Sequence, residues 1–192
     1  MHQASLFAPT PQRFIADDED GVYYLPGVFA ADEAAQLFDS LLARAEWSAC
    51  TRMMYERLVD VPRRIAAYRL DRDRLPPWLA QAAQRVSVRL DTPFNSVGLN
   101  LYRDGADSVA LHNDKLRDLI PARPIAVLSL GAPRRMLLRA KRPPHRQWQV
   151  ELEPGSLLVM SHASQRHYDH GIPKAPGVTA PRISLAFRVR PG

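Results

Sequence analysis

The run Leu111-His112-Asn113-Asp114 places an imidazole and a carboxylate two residues apart. In extended chain such residues point to the same side, so both can reach one metal ion. A more distant histidine would complete a two-histidine, one-carboxylate facial triad, a donor set that leaves positions open on Fe(II) for a co-substrate and oxygen. His170, in Tyr168-Asp169-His170-Gly171-Ile172-Pro173, is one source of that ligand, and His162 and His167 are rivals that spacing does not separate. Zinc takes the same donors and keeps an open position in catalytic sites, so the three side chains alone leave the metal undecided.

A second pattern lies near the C-terminus, where Ile183, Leu185, Phe187 and Val189 alternate with Arg182, Ser184, Ala186 and Arg188. This period of two predicts a strand with one apolar face and two arginines on the other. Six residues of strand separate the two arginine backbones by roughly 20 Å, so only side chains leaning inward can share one small dicarboxylate. An arginine buried inside a barrel needs a carboxylate partner, because an unpaired buried charge is very costly. A zinc hydrolase needs no such anchor, which tips the balance toward iron with a dicarboxylate co-substrate. Taken alone, the same strand is also what a solvated sheet edge with exposed arginines looks like.

These groups need elements to hold them. From about residue 94 the pattern alternates, with Val97, Leu99 and Leu101 facing one way and Asn100 and Tyr102 the other. Further strand-like runs are 125–130, 136–139, 148–152, 157–160 and 182–190, and the Pro and Gly between them predict a sandwich or barrel of short strands. Upstream, Leu37, Phe38, Leu41, Leu42 and Ala45 follow helical spacing after Asp32, a suitable N-cap. A second helix is expected to open at Pro76 and Pro77 and to carry Leu79, Ala82, Ala83, Val86 and Leu90 on one side. Residues 1–20, with the acidic run Asp17 to Asp20, read as a flexible leader. Residues 21–93 read as helical support and 94–190 as a β-rich catalytic core, all within one domain.

Composition bounds the rest. At 192 residues, 46% hydrophobic and 24% charged, the chain has globular composition and enough length for one core. Its 17 prolines, roughly twice the usual share of about 5%, argue against a helical bundle. A single cysteine, Cys50, excludes an internal disulfide and a cysteine zinc cluster. With no long apolar run no membrane segment is expected, the lone cysteine makes a reducing cytoplasm the simplest home, and a monomer without a protein partner is expected. The net charge of +6 is carried mostly by arginine, clustered at 63, 64, 69, 72 and 74 and again from Arg134 to Arg146. Either cluster could track a phosphate backbone, and either could be a plain solvated face.

Together these motifs resemble the AlkB family of Fe(II)- and 2-oxoglutarate-dependent dioxygenases, in particular its nucleic-acid demethylases. FNSVGLNLYRDGADSVALHND resembles the family's strand with Asn and Tyr, its Asp-Gly turn and its His-x-Asp motif. SLGAPRRMLLR, PGSLLVMSHASQRHYDHGIPK and PRISLAFR follow in the family's order, covering about 94–190. The resemblance implies a mainly β, α+β fold with a double-stranded β-helix (jelly-roll) core and N-terminal supporting helices. It assigns His112, Asp114 and His170 to Fe(II) and selects His170 because an Ile-Pro pair follows it. It matches Asn100 and Tyr102 to 2-oxoglutarate, Arg182 to its distal carboxylate, and Arg188 to its metal-bound end. Val61-Pro62-Arg63-Arg64 through Tyr68 fall where the family recognises nucleotides, making Arg63 and Tyr68 candidate substrate contacts. The implied reaction uses O2 to decarboxylate 2-oxoglutarate and hydroxylate an N-alkyl carbon of DNA or RNA, the hemiaminal then collapsing to aldehyde and repaired base. Two departures stand out. Lys115 and Leu116 follow the His-x-Asp pair where many relatives carry an acidic base contact, for which Asp118 is a possible substitute. Ser184 and Ala186 replace a more usual Asn and Thr.

Overall fold

The computed structural model of the chain describes residues 10–54 and 57–192, the side chains of 50–61 excepted. Its elements run in the order β1 (Gln12–Ile15), β2 (Val22–Leu25), α1 (Ala31–Arg44), β3 (Ser48–Met54), β4 (Arg57–Arg69), α2 (Pro77–Arg89), β5 (Ser96–Tyr102) and β6 (Val109–His112). There follow a short 3-10 turn (Leu116–Asp118), β7 (Ile125–Gly131), β8 (Arg134–Ala140), β9 (Gln147–Leu152), β10 (Leu157–Met160), α3 (Ser164–His167), β11 (Tyr168–Ile172) and β12 (Arg182–Arg188). The strands form two antiparallel sheets, a large one ordered β1-β2-β10-β7-β12-β5-β4-β3 and a small one ordered β6-β11-β8-β9.

Alternation along the central strands sorts side chains between two apolar layers. Leu99, Leu101, Leu128, Leu130, Ile183, Leu185 and Phe187 pack with Leu37 and Leu41 of α1 and Leu79 and Val86 of α2. The opposite face of the large sheet sends Tyr102, Val127, Leu158 and Ala186 against Met136, Leu138, Val150 and Ile172 of the small sheet. This is the expected jelly roll backed by helices. Strand β12 lies between β7 and β5, so it is a central strand and its arginine-bearing face points between the sheets. No helix among the described residues is long and apolar enough to cross a membrane.

Some local expectations need correction. The N-cap of α1 is Ala30, and Asp32 sits in the first turn. Glu33 does the capping work by accepting the Ala30 N–H at 2.8 Å. Leu42 is exposed, because the apolar stripe passes through Leu37 and Leu41 instead. Within the stretch expected to be a flexible leader, Gln12–Ile15 pairs with β2. Asp17 there accepts the Ser161 hydroxyl at 2.6 Å and Glu19 accepts the Ala163 N–H at 2.8 Å, while residues 1–9 lie outside the described residues. The stretch expected to be helical support also holds β2 and the long β3–β4 pair.

Candidate active site

Strands β6 and β11 pair antiparallel with His112 opposite His170. Gly171 permits the approach: a Cβ there would stand 2.8 Å from the Val109 carbonyl oxygen and 3.0 Å from the Leu111 nitrogen. The two imidazole rings consequently lie 4.5 Å apart. Asp114, just past the end of β6, joins them, and ligand atoms of His112, Asp114 and His170 all fall within 4.8 Å of one another. His162 is buried elsewhere and the exposed His167 packs edge-on against Tyr168, so neither belongs to this group.

Each of the three is prepared for ligation. His112 Nδ1 lies 2.9 Å from the Ala110 carbonyl oxygen. Donation to that carbonyl leaves Nε2 free with its lone pair, the usual support for a metal-bound histidine. Burial, reinforced by neighbouring His112, pulls the His170 pKa down to about 3, so at neutral pH it presents a neutral imidazole. Burial would raise the Asp114 pKa, but the charge and hydrogen bonds of Arg188 outweigh it and hold Asp114 below the usual carboxylate value. Arg188 Nε donates to Oδ2 at 2.6 Å and Nη2 to Oδ1 at 3.2 Å. The Asp114 N–H donates to Gln165 Oε1 at 3.0 Å, and Lys141 Nζ holds both the Gln165 carbonyl and Asn113 Oδ1.

A cavity of about 350 Å³ opens beside the triad, walled by His112, His170, Asn100, Tyr102, Ser184 and Arg188 among others. Arg182 stands behind Tyr102, its guanidinium carbon 5.1 Å from the ring centre. It is 1% exposed; its Nη2 donates to the Ser129 hydroxyl at 2.7 Å, while Nε and Nη1 have no partner. Among the described residues no carboxylate pairs with it. A fully buried guanidinium with two unsatisfied donors is unstable unless an anion reaches it. That environment fits one end of a dicarboxylate whose other end meets a metal at the triad.

The remaining expected residues divide. Arg63 reaches the cavity and its Nε donates to Asn100 Oδ1 at 2.7 Å. Tyr68 does not: Arg63, Ile65 and Ala67 alternate onto the cavity side, which turns Tyr68 into the layer between sheet and helices. Half-buried there, Tyr68 packs against the core on the helix side. Asp118 lies in the 3-10 turn beside Arg117, away from the cavity lining, and does not replace the acidic contact. Of the basic residues from Arg134 to Arg146, Arg142, His145 and Arg146 are exposed, whereas Arg134 is buried. Its phase with Met136 and Leu138 was the available signal for that burial. Gln165 and Lys141 carried no comparable signal, since their role depends on a contact made across the fold.

Residues 21–188 match the family described as the 2OG-Fe(II) oxygenase superfamily. The chain belongs to that superfamily and, by its relatives, to the AlkB family of Fe(II)- and 2-oxoglutarate-dependent dioxygenases, which use O2. It is 33% identical over 183 residues to DNA oxidative demethylase ALKBH2 of Bos taurus, covering 84% of this chain and 66% of that protein. With the Homo sapiens ALKBH2 the identity is again 33% over 183 residues, covering 84% and 70%. Alpha-ketoglutarate-dependent dioxygenase alkB homolog 3 of Bos taurus is 31% identical over 182 residues, with 85% and 64% covered. The chain thus spans about two thirds of the length of these relatives. The solved structure of OsALKBH1 shares the fold at TM-score 0.61 and 17% identity, over 88% of this chain and 97% of that one.

Proposed function

We propose that the chain is an oxidative demethylase of N-alkylated bases in DNA or RNA, with His112, Asp114 and His170 as the Fe(II) ligands. The observation that carries this reading is the convergence of those three donors beside a cavity backed by the unsatisfied guanidinium of Arg182. Arg182 is assigned the distal carboxylate of 2-oxoglutarate, with Tyr102 between it and the cavity. Arg188 keeps Asp114 ionised and oriented at the metal end. Arg63, held on Asn100, is the substrate contact of the set. When bound, iron, 2-oxoglutarate and O2 supply the oxidation of the alkyl carbon, and the protein's own work is to bind, orient and shield. The target base must be single-stranded or extruded to enter. The names of the relatives support nucleic acid as the substrate class. A cytoplasmic location and a monomeric state complete the proposal; light scattering tests the latter.

One observation favours a second reading. Among the described residues no carboxylate lines the cavity, so a cationic alkylated base finds no opposite charge on its walls. The alternative keeps the oxygenase chemistry and takes a protein or small-molecule substrate. Both are tested by incubating methylated DNA and RNA oligonucleotides with the protein, Fe(II), 2-oxoglutarate and air, beside His112→Ala, and weighing the products. Loss of methyl from 1-methyladenine or 3-methylcytosine with the wild type alone is the expected result. Succinate formed without any demethylated oligonucleotide overturns the nucleic-acid assignment and leaves the alternative.

A further inference from the structure

Arg134 of β8 is as deeply buried as Arg182, at 2% exposure. Its Nη1 donates to the Asp104 carbonyl at 2.9 Å, and its Nη2 donates to the carbonyls of Asp107 at 2.9 Å and Pro173 at 2.8 Å. Asp104 and Asp107 lie in the turn that leads into β6 and so to His112. Pro173 directly follows β11, which carries His170. One side chain on the small sheet therefore ties together the approach to one metal-ligand candidate and the exit from the other.

The same guanidinium carbon lies 5.5 Å from the centre of the Tyr102 ring, the ring that Arg182 also faces at 5.1 Å. Two buried cations thus share one aromatic group on the cavity wall. Neither forms a salt bridge among the described residues, and Arg134 Nε is unpartnered. Of the acids that act on Arg134, Asp107 pulls most strongly and is engaged through its side chain by Arg103, while Asp104 and Glu151 act more weakly. Backbone carbonyls satisfy hydrogen-bond donors without neutralising a charge, so Arg134 contributes net positive potential to the pocket around Arg182, in a medium that screens it poorly.

We propose that Arg134 is a positioning residue for the co-substrate, fixing Tyr102 and placing a second positive charge against the ring that Arg182 also faces, so that the site selects a dicarboxylic 2-oxo acid over a monocarboxylic one. This rests on the reading of Arg182 as the distal-carboxylate anchor. No contact between Arg134 and the co-substrate is required.

Calorimetry on the full chain loaded with Mn(II) compares 2-oxoglutarate with 2-oxovalerate, which has the same chelating end and no distal carboxylate. Arg134→Gln is expected to weaken 2-oxoglutarate by about tenfold, the order of one poorly screened charge interaction, and to leave 2-oxovalerate unchanged. Arg134→Lys, which keeps the charge, is expected to retain most of the wild-type preference. Equal weakening of both acids would reduce Arg134 to a structural clamp and overturn the proposal, as would an unchanged affinity for 2-oxoglutarate. If Arg134→Gln does not fold, the Lys variant decides: a preference as small as that of Arg182→Gln overturns it. A wild type that binds both acids equally instead defeats the assignment of Arg182, whatever Arg134 does.

Discussion

Arg188 grips both oxygens of Asp114, Nε to Oδ2 at 2.6 Å and Nη2 to Oδ1 at 3.2 Å, from the last residue of β12. A flat guanidinium fork fixes the plane of the carboxylate as well as its charge, which a lysine would not do. The candidate metal ligand is thereby oriented by a strand of the large sheet while both histidines stand on the small one.

Arg188→Ala is expected to free Asp114 to rotate and to raise its pKa. Loss of such a supporting partner weakens metal binding or turnover by about 10- to 100-fold. Titration of the metal-free protein with Mn(II), followed by electron paramagnetic resonance, reads the change. An unaltered affinity would show that the Asp114 carboxylate needs no side-chain partner, the Gln165 bond to its backbone N–H being enough to place it.

Arg182→Met removes a buried, unneutralised cation while keeping much of its volume. Because such a charge is costly without its anion, the ligand-free variant should melt at the same temperature as wild type or higher. At a concentration of 100 times Kd, 2-oxoglutarate should stabilise the wild type by about 2.7 kcal/mol, and this gain should vanish in the variant. Thermal melts with and without 2-oxoglutarate check both halves.

Gly171→Ala tests the closeness of β6 and β11. The added methyl meets the Val109 carbonyl oxygen at 2.8 Å, so the strands must separate where His112 faces His170. Far-ultraviolet dichroism is expected to stay native while Mn(II) binding falls. Unchanged binding would mean that the pair tolerates a wider spacing.

Asp107 accepts from the Arg103 backbone N–H and from its Nε and Nη2, and these hydrogen bonds hold its carboxyl below the usual value of 3.8. A lowered carboxyl pKa favours the folded state above the unfolded value. This contribution is complete above pH 3.8 and is lost as pH falls through the lower folded value. Urea midpoints of wild type and Asp107→Asn should therefore differ at pH 6, and the difference should shrink as pH falls below the usual carboxyl value of 3.8.

Periodicity alone was enough to place most strands of the β half and to pair the arginines of β12 on one face, because both facts are local to the strand. His112 and Asp114 could be put on one side of an extended chain for the same reason. Whether that side met His170, His162 or His167 is a question of strand pairing between residues far apart in sequence: spacing left it open, the Ile-Pro pair after His170 selected it only by resemblance, and β6 lying on β11 supplied the physical reason. Tyr68 shows how far alternation reaches: a shift of one residue along β4 carries a side chain from the cavity to the helix layer, and an isolated stretch gives no sign of which face is which. Arg134 and Gln165 mark the other limit. Their partners are backbone carbonyls and a backbone N–H of other segments, groups present at nearly every position and so invisible in sequence, and their meaning arises only when the two sheets close.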